Sequence, residues 1–249
     1  MIRIARFARP QARVLPAVLL AAVLLAGCGS SSSSSTTAPA PRYGTATGGA
    51  APTAKIPGAA DVRAEFAGIP QRGEIAGDPK APWTLVEYGD LQCPACKFAA
   101  LTTLPDVVKQ LVRTGKIRLA MRPFGYVGPD SKPAANYAWA AARQSRLHEF
   151  TRLWYANQGQ ENSGYVTDAF AKRIASGVGG LDAARVVSDA KSVPVRALQQ
   201  RTTDEFKRMA LQGTPSFLIG RTGSSKLQPI DLGDGTGPAA VAAIQAAIS

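Results

Sequence analysis

The chain has 249 residues, 45% of them hydrophobic, enough for a real core in one domain with appendages or in two small domains. The formal charge is +12. Arg3, Arg6, Arg9 and Arg13 fall in a leading stretch without acidic residues, and beyond them Lys and Arg are scattered with no basic block. That pattern argues against a nucleic-acid partner and for a solvated basic surface, of the kind that faces anionic lipid.

Residues 1–13 form a positive leader and Val14 to Ala26 a short apolar run. The run is shorter than the ~20 residues a spanning helix needs, so a secretory signal is expected over 1–27. Its end, Leu25-Ala26-Gly27-Cys28, resembles the lipobox of bacterial lipoproteins. The resemblance implies cleavage before Cys28 and a lipid on Cys28, anchoring the chain to a bacterial membrane outside the cytoplasm. With Cys28 so used, the three cysteines leave one pair, Cys93 and Cys96, in a compartment where disulfides persist.

Ser30 to Ser35 is a serine run, and Thr36 to Pro57 continues in Thr, Ala, Pro and Gly. Residues 28–60 are therefore expected to be a flexible tether with a span on the order of 30 Å. The folded domain is expected over 61–249. Thr84 to Tyr88 reads as a strand and Cys93 to about Arg113 as a helix, kinked or split by Pro105. Ile117 to Met121 reads as a second strand, parallel to the first if the helix is a crossover. Helical patterns follow over Ala134–Ser145, Arg146–Ala156, Thr167–Ser176, Leu181–Lys191 and Pro194–Ala210, with Thr167 and Asp182 as N-caps. Ser216–Gly220 and Leu227–Leu232 read as strands and Pro238–Ile248 as a last helix. So long a helical block exceeds one crossover, and a helical subdomain at about 126–211, inserted into an α/β domain, is expected.

The chemistry gathers at Cys93-Pro94-Ala95-Cys96, between a strand and a helix. Two thiols two residues apart at a helix start close a small, easily reduced disulfide, and the helix N-terminus stabilises the thiolate of the first. Zinc needs four ligands, and beyond this pair only His148 and Cys28 remain, so no metal is expected and no cofactor is implied. His148, Trp139, Trp154 and Tyr155 read as core or structural residues.

Thr84-Leu85-Val86-Glu87-Tyr88-Gly89-Asp90-Leu91-Gln92-Cys93-Pro94-Ala95-Cys96 resembles the active-site segment of DsbA-like thioredoxin-fold proteins. Arg122-Pro123-Phe124 resembles the stretch after their second core strand, and Gly213-Thr214-Pro215-Ser216-Phe217-Leu218-Ile219 their cis-proline loop. The resemblance runs from about Phe66 to the C-terminus. It implies a thioredoxin-like α/β fold with an inserted helical subdomain and thiol–disulfide exchange with client proteins that carry cysteines. By the same resemblance Cys93 is the exposed attacking thiol, Cys96 the more buried resolving thiol, and Glu87 a buried carboxyl that passes a proton to or from it. Thr214 and a cis Pro215 offer the backbone against which a client pairs as an added strand. Pro94 and Ala95 tune the redox poise; strongly oxidising relatives carry histidine at the place of Ala95, and alanine makes a weaker oxidant. A membrane quinone-linked thiol oxidoreductase is the implied reoxidant. Two other readings stay open: a reductase or isomerase on the same fold, and a non-catalytic binding or chaperone lipoprotein with a structural disulfide.

Overall fold

The computed structural model describes residues 43–249. The expected signal, the expected lipidation site Cys28 and the serine run lie outside the described residues. Among the described residues, no helix is long and apolar enough to cross a membrane.

Seven strands form one sheet in the order β1-β2-β3-β5-β4-β6-β7. They are β1 (Ala46–Thr47), β2 (Pro70–Arg72), β3 (Ile75–Ala76), β4 (Trp83–Gly89), β5 (Ile117–Pro123), β6 (Ser216–Arg221) and β7 (Gln228–Pro229). β4 and β5 are parallel, in register from Trp83 opposite Ile117 to Gly89 opposite Pro123. β6 runs antiparallel to β4, with Glu87 opposite Phe217. β4 is thus a central strand with apolar side chains on both faces, which places Cys93 just beyond the carboxyl end of the sheet's middle.

Alternation along β4 divides the core. Leu85 shares the larger cluster with Leu119 and Met121 of β5, and Val86 and Tyr88 join a smaller one with Ala120 and Leu218. The smaller cluster is closed by Phe206 from α8 (Val193–Arg208). On the larger cluster's side lie α1 (Ala59–Phe66), α2 (Pro94–Phe98), α3 (Leu104–Val107) and α9 (Gly237–Ile248). The helix starting at Pro94 does not break at Pro105. It passes through π-helical turns at Ala99–Thr103, before the proline, and Val108–Val112, after it, and runs on to Val112.

The inserted helical block comprises α4 (Ser131–Ala142), α5 (Leu147–Ala156), α6 (Asp168–Ser176), α7 (Ala183–Ala190) and α8. Thr167 caps α6 through Phe170 N at 3.1 Å, and Asp182 caps α7 through Ala184 N and Arg185 N at 3.0 Å. The break between α4 and α5 falls at Ser145, whose φ is 56°.

The structure moves the start of the folded part from the expected residue 61 back to about residue 43. Residues 43–57 are laid across the domain as a strap. β1 pairs with β2, Ser145 Oγ bonds the Gly44 carbonyl, and Arg146 donates to the Thr47 carbonyl at 2.8 Å. Gly49 N donates to Glu149 at 3.2 Å, and Thr53 N and Ala54 N donate to the Ser176 carbonyl. Composition hid this segment, because backbone groups make most of its hydrogen bonds and Tyr43 and Ile56 are its main apolar anchors. β7 is also shorter than expected, two residues in place of Leu227–Leu232.

Candidate active site

Cys93 is the N-cap of α2, with φ −68° and ψ 122°, and its sulfur accepts from Cys96 N at 3.3 Å. Pro94 takes the first helical position, where a missing N–H costs nothing. Both cysteines are free thiols. Pro94 and Ala95 are exposed. Cys93, expected to be exposed, retains 6% and Cys96 none. The cover over Cys93 comes from Thr214, whose carbonyl lies 3.3 Å from Sγ, and from Gln158, whose side chain reaches the Leu91 and Cys93 carbonyls. The Thr214–Pro215 bond is cis.

The two thiols are driven apart in acidity. A hydrogen bond from the Cys96 thiol, against the cost of burial and with help from the Thr214 hydroxyl and the Cys96 and Ala95 N–H groups, lowers Cys93 from 9.0 to about 6. Burial, with the hydrogen bond to Cys93 and the charges of Cys93 and Glu87, pushes Cys96 well above its ordinary value. Glu87 sits beneath them on β4, 3% exposed, raised by burial from 4.5 to about 7. A carboxyl that titrates near neutrality beside a buried thiol is fitted to exchange a proton with it.

The loop that presents Cys93 is held by residues the sequence reading passed over. Buried Asp90 accepts from Gln92 N at 2.8 Å with one oxygen and from Tyr126 N and Val127 N, at 2.7 and 2.8 Å, with the other. An aspartate two residues before the N–H it binds is a local turn signal that the sequence does carry. Gln92 exchanges hydrogen bonds with Asn162, 3.0 Å from its amide and 2.9 Å to its oxygen. Asn162 is 70 residues away and has no local signal. Tyr155, expected as core, donates to the Asp90 carbonyl at 3.2 Å and so stands at the site. His148 is buried, with Nε2 2.9 Å from the Glu74 carbonyl, and burial lowers it to about 4, so it is neutral.

Beside the pair a groove of about 440 Å³ runs between Ala95, Phe98, Pro215, Phe217, Ile230 and Leu232. Phe98 is 52% exposed at its rim. Among the described residues no group of three or more His, Cys, Asp or Glu is placed to hold a metal.

The sequence profile of the family described as Thioredoxin matches residues 71–231. The probable disulfide bond formation protein D of Bacillus cereus is 26% identical over 146 residues, covering 57% of this chain and 68% of that protein. Oxidised BdbD from Bacillus subtilis superimposes with a TM-score of 0.58 at 19% identity, over 71% of this chain and 90% of the other. The α-DsbA1 of Wolbachia pipientis superimposes with a TM-score of 0.53 at 19% identity, over 61% and 76%. These two share the fold. With its Cys93-Pro94-Ala95-Cys96 pair at a helix start on that fold, the chain belongs to the thioredoxin family, as a DsbA-like thiol–disulfide oxidoreductase.

Proposed function

We propose that the protein works outside the cytoplasm as a disulfide donor to client proteins. The observation that carries this reading is the depressed Cys93 thiol, at about 6, beside the raised Cys96. Stabilising the thiolate favours the reduced pair, which is what makes a disulfide oxidising.

In the proposed cycle a client thiolate attacks Cys93 Sγ of the Cys93–Cys96 disulfide. The S–S bond breaks and Cys96 leaves as a thiolate, which takes a proton from Glu87. A second client thiolate then attacks the client sulfur of the mixed disulfide. The client leaves oxidised, and Cys93 leaves as the thiolate its surroundings favour. The client backbone pairs beside Thr214 and Pro215 while an apolar client side chain seats in the groove past Phe98. A membrane quinone-linked thiol oxidoreductase withdraws the two electrons and restores the disulfide. Residues 1–27 serve as signal and Cys28 as lipid anchor, with 29–42 as tether to a domain over 43–249.

The test is the equilibrium of the pair with glutathione buffers. A potential near the about −120 to −180 mV of known disulfide donors supports the reading. A value near about −270 mV transfers the protein to the reductases, a direction Ala95 favours. Cys93→Ser is expected to abolish exchange, and Cys96→Ser to trap clients on Cys93. Fast alkylation of Cys93 near neutral pH excludes a purely structural pair.

A further inference from the structure

Below Glu87 a small cavity of about 10 Å³, the room of about one water, opens toward α5. Glu87, Arg152, His148, Thr151 and Tyr155 line it among apolar side chains. Glu87 Oε1 and Arg152 Nε and Nη1 are buried without a hydrogen-bond partner among the described residues. Unpaired polar atoms of both signs around one small cavity fit a single water that accepts from Arg152 and donates to Glu87. Arg152 itself is held from the surface side, where its Nη2 donates to Glu65 Oε1 of α1 at 2.7 Å.

We propose that Arg152, steered by Glu65 and acting through a water in this cavity, is a positioning residue that sets the acidity of Glu87 and with it the pH window in which Cys96 reacts. The inference rests on the proposed proton role of Glu87. The other groups facing Glu87 are accounted for. From α2 come Cys93 and Cys96, the reacting pair. From α5 come Tyr155, committed to the Asp90 carbonyl, and His148, bound to the Glu74 carbonyl and neutral. Asp90 spends its carboxylate on three backbone N–H groups. The register partners on β5 and β6, Met121 and Phe217, carry no charge. Arg152 is left as the cation acting on Glu87, and it opposes the effect of burial.

The pair Arg152–Glu65 makes the proposal testable by sign. Reduced protein is mixed with an aromatic disulfide such as Ellman's reagent, and the release of the second aromatic thiolate is followed against pH. That step is the attack of Cys96 on Cys93 Sγ, and it requires Glu87 as carboxylate to accept the Cys96 proton. Its rate is expected to rise through a midpoint near the Glu87 value of about 7. Arg152→Met removes a favourable charge and is expected to move the midpoint up by about one unit. Glu65→Gln releases Arg152 from a competing carboxylate and is expected to move it down, while Arg152→Lys holds it near the parent value. Opposite shifts support the proposal. An unmoved midpoint, or shifts in the same direction, overturns it while the Glu87 reading stands, provided Glu87→Gln still removes the pH step. A step that persists in Glu87→Gln overturns the Glu87 reading and the proposal with it. If Arg152→Met does not fold, the Glu65→Gln and Arg152→Lys profiles decide alone.

Discussion

At Cys93 the balance of forces is unequal in a useful way. Burial alone raises a thiol, yet this one falls three units because four hydrogen-bond donors converge on its sulfur. At pH 7 a thiol of pKa about 6 is mostly ionised where an ordinary one is mostly protonated, a factor of about ten. In a two-electron couple that is worth about 30 mV toward oxidant. Iodoacetamide labelling of reduced Cys93 is therefore expected to rise through a midpoint near pH 6. The Ala95 side chain adds nothing beyond the N–H its backbone supplies, since an exposed methyl brings neither charge nor donor. Ala95→His is expected to lower the labelling midpoint further and to raise the reduction potential with it, measured together on one preparation. A potential that stays put while the midpoint falls would break the link between thiolate stability and poise.

Elements position these groups, and Asp90 shows how. One carboxylate ties the end of β4 to the turn before α2 and to the chain after β5. Asp90→Ala removes the acceptor of three backbone N–H groups, that of Gln92 buried and those of Tyr126 and Val127 half-buried, each costing up to ~1–3 kcal/mol. We expect a loss of about 3 kcal/mol or more in urea denaturation, and slower labelling of Cys93 as its N-cap geometry loosens. Asp90→Asn keeps an acceptor and is expected to lose less. This is also where legibility in the sequence divides. β4, the CxxC turn, the capped helices α6 and α7 and the Thr214-Pro215 loop announce themselves within a few residues, through apolar runs, caps and prolines. β1, β2 and β3 do not, because two- and three-residue strands in a Gly- and Pro-rich stretch have no period to detect. The Gln92–Asn162 exchange and the arrival of Arg152 and Tyr155 from α5 beneath the thiols are tertiary events, with no trace in local pattern.

Across the molecule the same buried groups set how stability depends on pH. Glu87 is raised, so its native form holds a proton that the unfolded chain releases above 4.5. Stability is lost as pH climbs from about 4.5 to about 7, by about 3 kcal/mol in all. Cys93 acts the other way in the reduced protein. Its folded value is depressed, so it adds stability that is full above 9.0 and is lost as pH falls through about 6. His148, depressed to about 4 by burial, costs stability as pH falls from 6.5 to about 4. Glu87→Gln removes the first of these dependences alone. The variant is expected to melt higher than the parent at pH 8 and close to it at pH 4.5, in both redox states. The strap supplies the contrasting case, stability without proton linkage at the thiols. A methyl on Gly179 would run into the Ala50 carbonyl of the strap, so Gly179→Ala must push the strap from its seat. The buried Arg146 and Glu149 then lose the Thr47 and Gly49 backbone groups they hold. We expect about 1–3 kcal/mol of destabilisation with an unchanged labelling midpoint for Cys93. A midpoint that moved with it would mean that the strap, on the far edge of the sheet beyond β5, is mechanically coupled to the active-site turn.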